Sequence, residues 1–266
     1  MNNHYKSLWL LLAAALLIIT VISFVDDIFI GTIKVKKAPI AESLTKEYKT
    51  TEQKKAEKEV QLAKAKEKAK PLENPVDSTP QSFLIFGDSM SQNIALRLAA
   101  YARQNGHTIH TVNWDSSGTR IWSGCDTLDY YIREFKPTYI FISLGGNESG
   151  YPKPEVLKPN VEKIVKKIGN IPFVWIGPPS LKQDYGFSDM LLTSLPQGTF
   201  FRSDGLTLAR RKDKIHPTVE AAAYQIDSLV RWMKTSAHPI KMDIPADSIS
   251  NTKIPDTNIT YLKPKH

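Results

Sequence analysis

The chain has 266 residues, with Lys+Arg 35 against Asp+Glu 27, a net charge of +8 and one cysteine. That length suits one ordinary domain plus extensions, and a lone cysteine excludes a disulfide within the chain. The positive balance would suit an anionic partner, but much of the lysine lies outside the globular-looking region, and no nucleic-acid partner is expected.

Leu8 to Val25 is an apolar run broken only by Thr20 and Ser23, near the lower limit for crossing a bilayer. Lys6 precedes it and Asp26-Asp27 follow, which puts the N-terminus in the cytoplasm and the remainder outside. The run is long and no small-x-small site follows it, so an uncleaved anchor over 1–30 is favoured over a cleaved signal peptide. From Ala41 to Lys70 the chain is dense in Lys and Glu and lacks Gly and Pro. Such composition favours helix through propensity and i,i+4 ion pairs but leaves no apolar stripe for a coiled coil. Residues 31–80 are therefore expected to be a charged helical spacer, roughly 45 Å long if fully helical, with a Pro-containing linker. Pro71, Pro75 and Pro80 end it.

Residues 81–236 alternate between strand and helix patterns. Phe83-Leu84-Ile85-Phe86 is a buried strand stopped by Gly87-Asp88-Ser89, and a helical pattern follows from Asn93. Further strands are predicted over 108–112, 138–144 and 172–176, and helices over 128–135, 155–168 and 217–234. This alternation predicts a three-layer α/β/α sandwich with a mostly parallel central sheet. Ligands bind beyond the carboxyl ends of such strands, where Ser89, Gly118 and Asn147 all fall. Residues 237–266 lack periodicity and are expected to form an extended tail.

Ser89 sits where a strand hands over to a helix, and unpaired N–H groups at a helix start favour negative charge nearby. A serine there is placed to attack an ester if a base can take its proton. Of the six histidines, His4 and His266 are terminal, His238 opens the tail, and His107 and His110 border or occupy a strand. His216 stands just before the last helix with Asp213 three residues earlier, a spacing that lets the carboxylate meet one imidazole nitrogen. Ordinary capping contacts are the alternative for this pair.

Gly87-Asp88-Ser89, Gly118, Gly145-Gly146-Asn147 and Asp213-x-x-His216, in that order, resemble the blocks of the SGNH (GDSL) hydrolase superfamily over about 82–234. The resemblance implies a flavodoxin-like SGNH fold, with Ser89 as nucleophile, His216 as general base and Asp213 orienting it. It also implies an oxyanion hole from the Ser89 and Gly118 N–H groups and the Asn147 side chain. Two departures stand out: Glu148 replaces the usual aspartate after Asn147, and the Gly-x-Ser-x-Gly elbow of α/β-hydrolases is missing. Neither a zinc-protease motif nor a phosphate-binding loop is present, so no metal and no cofactor are expected. Trp114, Trp122 and Tyr151 either stack on sugar rings or close a small core. Arg210, Arg211, Lys212 and Lys214 either hold an acidic glycan or form a solvated surface.

The resemblance points to a serine esterase tethered to the bacterial cytoplasmic membrane, its domain in the periplasm or outside the cell. Its substrate would be an acylated, above all O-acetylated, carbohydrate. An O-acyltransferase component working with a multi-pass membrane-bound O-acyltransferase is the alternative. A non-catalytic envelope-binding protein is a third.

Overall fold

The computed structural model describes residues 3–24, 28–30, 33–35, 39–179, 184–245, 254–255 and 258–263. Val25, Asp26 and Asp27, the expected far end of the anchor, lie outside the described residues, as does much of the expected tail. The chain divides into two compact units, Met1–Gln61 and Leu62–His266.

In the first unit, helix α1 (Asn3–Phe24) covers most of the expected anchor and leaves Leu10, Leu11 and Leu17 exposed. Among the described residues, no helix is long and apolar enough to cross a membrane. Strands β1 (Ile28–Ile30) and β2 (Ile33–Val35) pair antiparallel. Runs that short show no readable period in sequence. Helix α2 (Pro39–Lys68) matches the Lys/Glu-rich spacer, and its last turns belong to the second unit. There Ala65 is buried, so the end of the spacer is packed rather than solvated.

The second unit is α/β. Its strands are β3 (Ser82–Gly87), β4 (Thr108–Trp114), β5 (Tyr139–Ser143), β6 (Phe173–Ile176), β7 (Phe200–Phe201) and β8 (Ile259–Leu262). They form one parallel sheet in the order β7-β6-β5-β3-β4-β8. Its helices are α3 (Ser91–Gln104), α4 (Thr119–Gly124), α5 (Thr127–Phe135), α6 (Lys158–Ile168), α7 (Phe187–Ser194) and α8 (Val219–Met233). Helices α3 and α8 pack on one face, and α4 to α7 supply the other.

The run Phe83 to Phe86 explains why β3 is central. Side chains alternate across a strand, so Phe83 and Ile85 enter the α3/α8 layer while Leu84 and Phe86 enter the opposite one. Burying each such side chain contributes about 1.5–3 kcal/mol, which only a strand covered on both faces collects from consecutive residues. Strand order reverses between β3 and β5, so the crevice beyond their carboxyl ends is the switch point of the sheet.

The unit extends past both expected ends of the 81–236 domain. The Asp77 N–H donates to the Pro239 carbonyl at 2.8 Å, the Lys241 N–H to the Asp77 carbonyl at 2.8 Å, and the Leu72 N–H to the Thr235 carbonyl at 2.9 Å. Prolines stop helix but leave extended backbone free to pair. The stretch after 237, expected as an extended tail, buries Ile240, Met242 and Ile254 and adds β8 beside β4.

Candidate active site

The site begins with a close approach of backbones. Gly87 lies opposite Ser143 of β5, and a Cβ there would fall 1.9 Å from the Ser143 carbonyl oxygen. Only glycine lets β3 end that close to its neighbour. The Asp88 N–H then donates to the same carbonyl at 3.0 Å, and the chain turns into α3. Asp88 is fully buried behind the turn. Its Oδ1 accepts from the Met90 N–H at 2.9 Å and its Oδ2 from the Gly146 N–H at 3.1 Å. Burial pushes its carboxyl up to about 7 against the pull of those donors. Ser89 is left half-buried at the rim.

His216 reaches the same rim from the loop before α8. The Arg211 N–H donates to the His216 carbonyl at 2.8 Å, Arg210 and Pro217 form a β-bridge, and Lys214 takes the left-handed conformation at φ 59°. Asp213 Oδ1 accepts from the Ile215 N–H at 2.8 Å and the His216 N–H at 2.9 Å. Its Oδ2 lies 2.9 Å from His216 Nδ1, and His216 Nε2 lies 2.8 Å from Ser89 Oγ. A proton on Nδ1 directed at the carboxylate leaves Nε2 to accept from the serine hydroxyl. The His216 contact, followed by the two backbone donors, lowers the Asp213 carboxyl to about 2, so it is ionised at neutral pH. The arrangement can move a proton off Ser89 and hold the resulting imidazolium beside a negative charge.

Gly118 and Asn147 meet at the carboxyl ends of β4 and β5. Asn147 Nδ2 donates to the Ser117 carbonyl at 2.9 Å, which engages one of its two amide protons and leaves the other. Among the described residues, the Ser89 and Gly118 N–H groups have no hydrogen-bond partner. Glu148, the departure from the family pattern, joins the two loops. Its carboxylate accepts from the Thr119 N–H at 3.1 and 2.9 Å and from Thr119 Oγ1 at 2.8 Å, at the start of α4. A Cβ on Gly118 would meet that carboxylate at 2.8 Å.

Sequence reasoning missed Asn93. It is buried on α3, its Nδ2 donates to the Pro217 carbonyl at 2.9 Å, and its Oδ1 accepts from the Arg211 guanidinium. Farther along α3, Arg97 Nε meets Asp227 Oδ1 of α8 at 2.8 Å. A polar residue within an apolar helical stripe was the available signal for Asn93.

The other expectations divide. Trp122 is 0% exposed, donates from Nε1 to Ser117 Oγ at 2.9 Å and packs on Phe86, so it closes the core rather than facing a sugar. Trp114 packs edge-on against Trp122. Tyr151 is 45% exposed and lines a cleft of about 310 Å³ with Gly118, Arg120, Ile121 and Asn147. In the basic loop, Arg210 Nη1 donates to the Ile215 carbonyl at 2.8 Å and Arg211 is held by Asn93, so both shape the loop. His107 accepts at Nδ1 from the Gln81 N–H at 3.0 Å and lies 2.9 Å from the Lys241 carbonyl at Nε2, a structural role. His110 stacks on Phe135. Among the described residues, no group of His, Cys, Asp and Glu could hold a metal ion.

No protein-family model and no curated protein matches the chain. A solved structure, BT4096, described as a gut microbial diltiazem-metabolizing enzyme, is similar to it at 14% identity and a TM-score of 0.32. The similarity covers 65% of this chain and 38% of that one.

Proposed function

We propose that the chain is an SGNH-type serine esterase that removes acyl groups, O-acetyl above all, from a carbohydrate. The observation that carries this reading is the 2.8 Å contact between Ser89 Oγ and His216 Nε2, with Asp213 behind the imidazole. Ser89 Oγ attacks the ester carbonyl carbon while its proton passes to His216 Nε2. The tetrahedral oxyanion meets the N–H groups of Ser89 and Gly118 and the remaining N–H of Asn147. As the intermediate collapses, the sugar oxygen leaves with the proton from His216. Water then adds to the acyl-serine by the same proton path, releasing the acid and restoring the hydroxyl. A positioned base supplies about 10²–10⁴-fold, and each oxyanion donor about 10²–10³-fold.

The apolar run from Leu8 to Val25 in the sequence supports a membrane tether with the enzyme outside the cytoplasm. A second reading is acyl transfer to a sugar hydroxyl, alongside a multi-pass membrane-bound O-acyltransferase. The openness of the pair favours it, since the His216 and Asp213 side chains are 28% and 41% exposed and an alcohol can approach as water does.

The test is hydrolysis of 4-nitrophenyl acetate by the full chain in detergent, with Ser89→Ala beside it. Turnover is expected in the parent and not in the variant. A variant as fast as its parent would remove Ser89 from the chemistry. Acetylation of an added oligosaccharide would select transfer over hydrolysis.

A further inference from the structure

The cleft that opens against Gly118 and Asn147 has chemistry of its own. It is about 310 Å³, near the lower end for small-molecule sites, and suits one sugar ring better than a long acyl chain. Its walls carry two exposed apolar surfaces, Ile121 at 40% and Tyr151 at 45%, over a floor that includes buried Leu157. Arg120, in the first turn of α4 and exposed, lines the same cleft. Among the described residues its guanidinium has no ion-pair or hydrogen-bond partner. The other charge on the wall, Glu148, has its carboxylate engaged by Thr119. An unpaired guanidinium and an open aromatic ring lining one cleft match a pyranose that presents an apolar face to the ring and an anion to the fork.

We propose that this cleft binds an anionic sugar residue, one bearing a carboxylate, and that Arg120 and Tyr151 make the esterase select acidic over neutral acetylated saccharides. The inference rests on the esterase reading and deepens it. Arg120 pairs bidentately with the sugar carboxylate, Tyr151 covers the ring, and the ester carbonyl is thereby held at Gly118 and Asn147. On the His216 side, Arg210 is held by the Ile215 carbonyl and Arg211 by Asn93 of α3, whereas the Arg120 guanidinium at the cleft is open to a ligand.

The test compares the full chain in detergent on three probes: an O-acetylated oligogalacturonide, its O-acetylated neutral galactose counterpart, and 4-nitrophenyl acetate. The parent is expected to favour the charged saccharide in kcat/KM by about tenfold or more, as one charge-assisted pair warrants. Arg120→Gln should bring that ratio close to one through KM rather than kcat, and Arg120→Lys should restore part of it. Added salt should raise KM for the charged probe far more than for the neutral one in the parent itself, a readout that needs no variant. A parent that cleaves 4-nitrophenyl acetate without preferring the charged saccharide overturns the proposal and leaves the esterase reading standing. So does a preference that survives Arg120→Gln. A parent that cleaves no ester overturns both.

Discussion

Asn93 Nδ2 donates to the carbonyl of Pro217 at 2.9 Å, joining the helix that follows Ser89 to the residue that follows His216. Distant parts of the chain are held in register by an amide that also accepts from Arg211. Asn93→Asp keeps the acceptor for Arg211 and loses the donor to Pro217. Asn93→Leu loses both, leaving the carbonyl of buried Pro217 and the Arg211 guanidinium without this partner. Misplacing a catalytic group by about 1 Å can cost about 10²-fold in rate. We expect kcat to fall in the order parent, Asp, Leu, with KM for a small ester nearly constant. Steady-state kinetics alongside melting curves will separate loss of position from loss of fold.

Gly87→Ala tests the backbone contact beneath the turn that carries Ser89. The added methyl would sit 1.9 Å from the Ser143 carbonyl oxygen, and no side-chain rotation relieves a clash with backbone. Strands β3 and β5 must separate, at about 1–3 kcal/mol or more. Urea denaturation should show a lowered midpoint, and activity per folded molecule should fall with it. An unshifted midpoint would mean the strands already had room.

The two aspartates give stability opposite pH dependences. Asp213 has its carboxyl lowered to about 2, so its contribution is present above the ordinary carboxylate value of 3.8 and lost as pH falls toward 2. Asp88 has its carboxyl raised to about 7, so the native state holds its proton where the unfolded chain does not. Its contribution is present below 3.8 and declines as pH climbs through about 7. Melting temperatures of Asp88→Asn should therefore depend less steeply on pH between these values than those of the parent. Asp213→Asn should differ from the parent above pH 3.8 and converge with it in strong acid.

Glu148→Ala removes the acceptor for the Thr119 N–H and hydroxyl at the start of α4, a capping loss of about 1 kcal/mol. It also leaves the bond from Asn147 Nδ2 to the Ser117 carbonyl to hold the Gly118 and Asn147 loops together without the Glu148 tie. We expect kcat for an acetyl ester to fall by about tenfold or more, the scale of a weakened oxyanion donor. Glu148→Gln should recover most of it through the remaining amide oxygen. Equal defects in Ala and Gln would show that the negative charge, not the tie, is what matters.

Elements with a strong local pattern were legible in the sequence. The Phe83–Phe86 run has no polar position and needs cover on both faces, which fixes a central strand. Asp213 and His216 are three residues apart and bond locally, so spacing allowed their pairing, with ordinary capping contacts as the alternative. Asn93 could not be read in the same way, because its partners lie on a loop more than a hundred residues on, and only tertiary contact gives its amide a purpose. Trp122 was ambiguous for the converse reason, since a loop tryptophan and one just inside a short helix share the same neighbours in sequence. Strand β7 covers only Phe200–Phe201 and leaves no alternation to detect. Strand β8 gains its identity from pairing with β4 rather than from its own composition.

That last strand has a consequence for shortened forms of the protein. By lying parallel along Thr111–Trp114, residues 259–262 occupy a row of backbone donors and acceptors that would otherwise face water. A chain stopping before Ile259 would present β4 as a naked edge, the kind of template on which a neighbouring molecule adds its own strand.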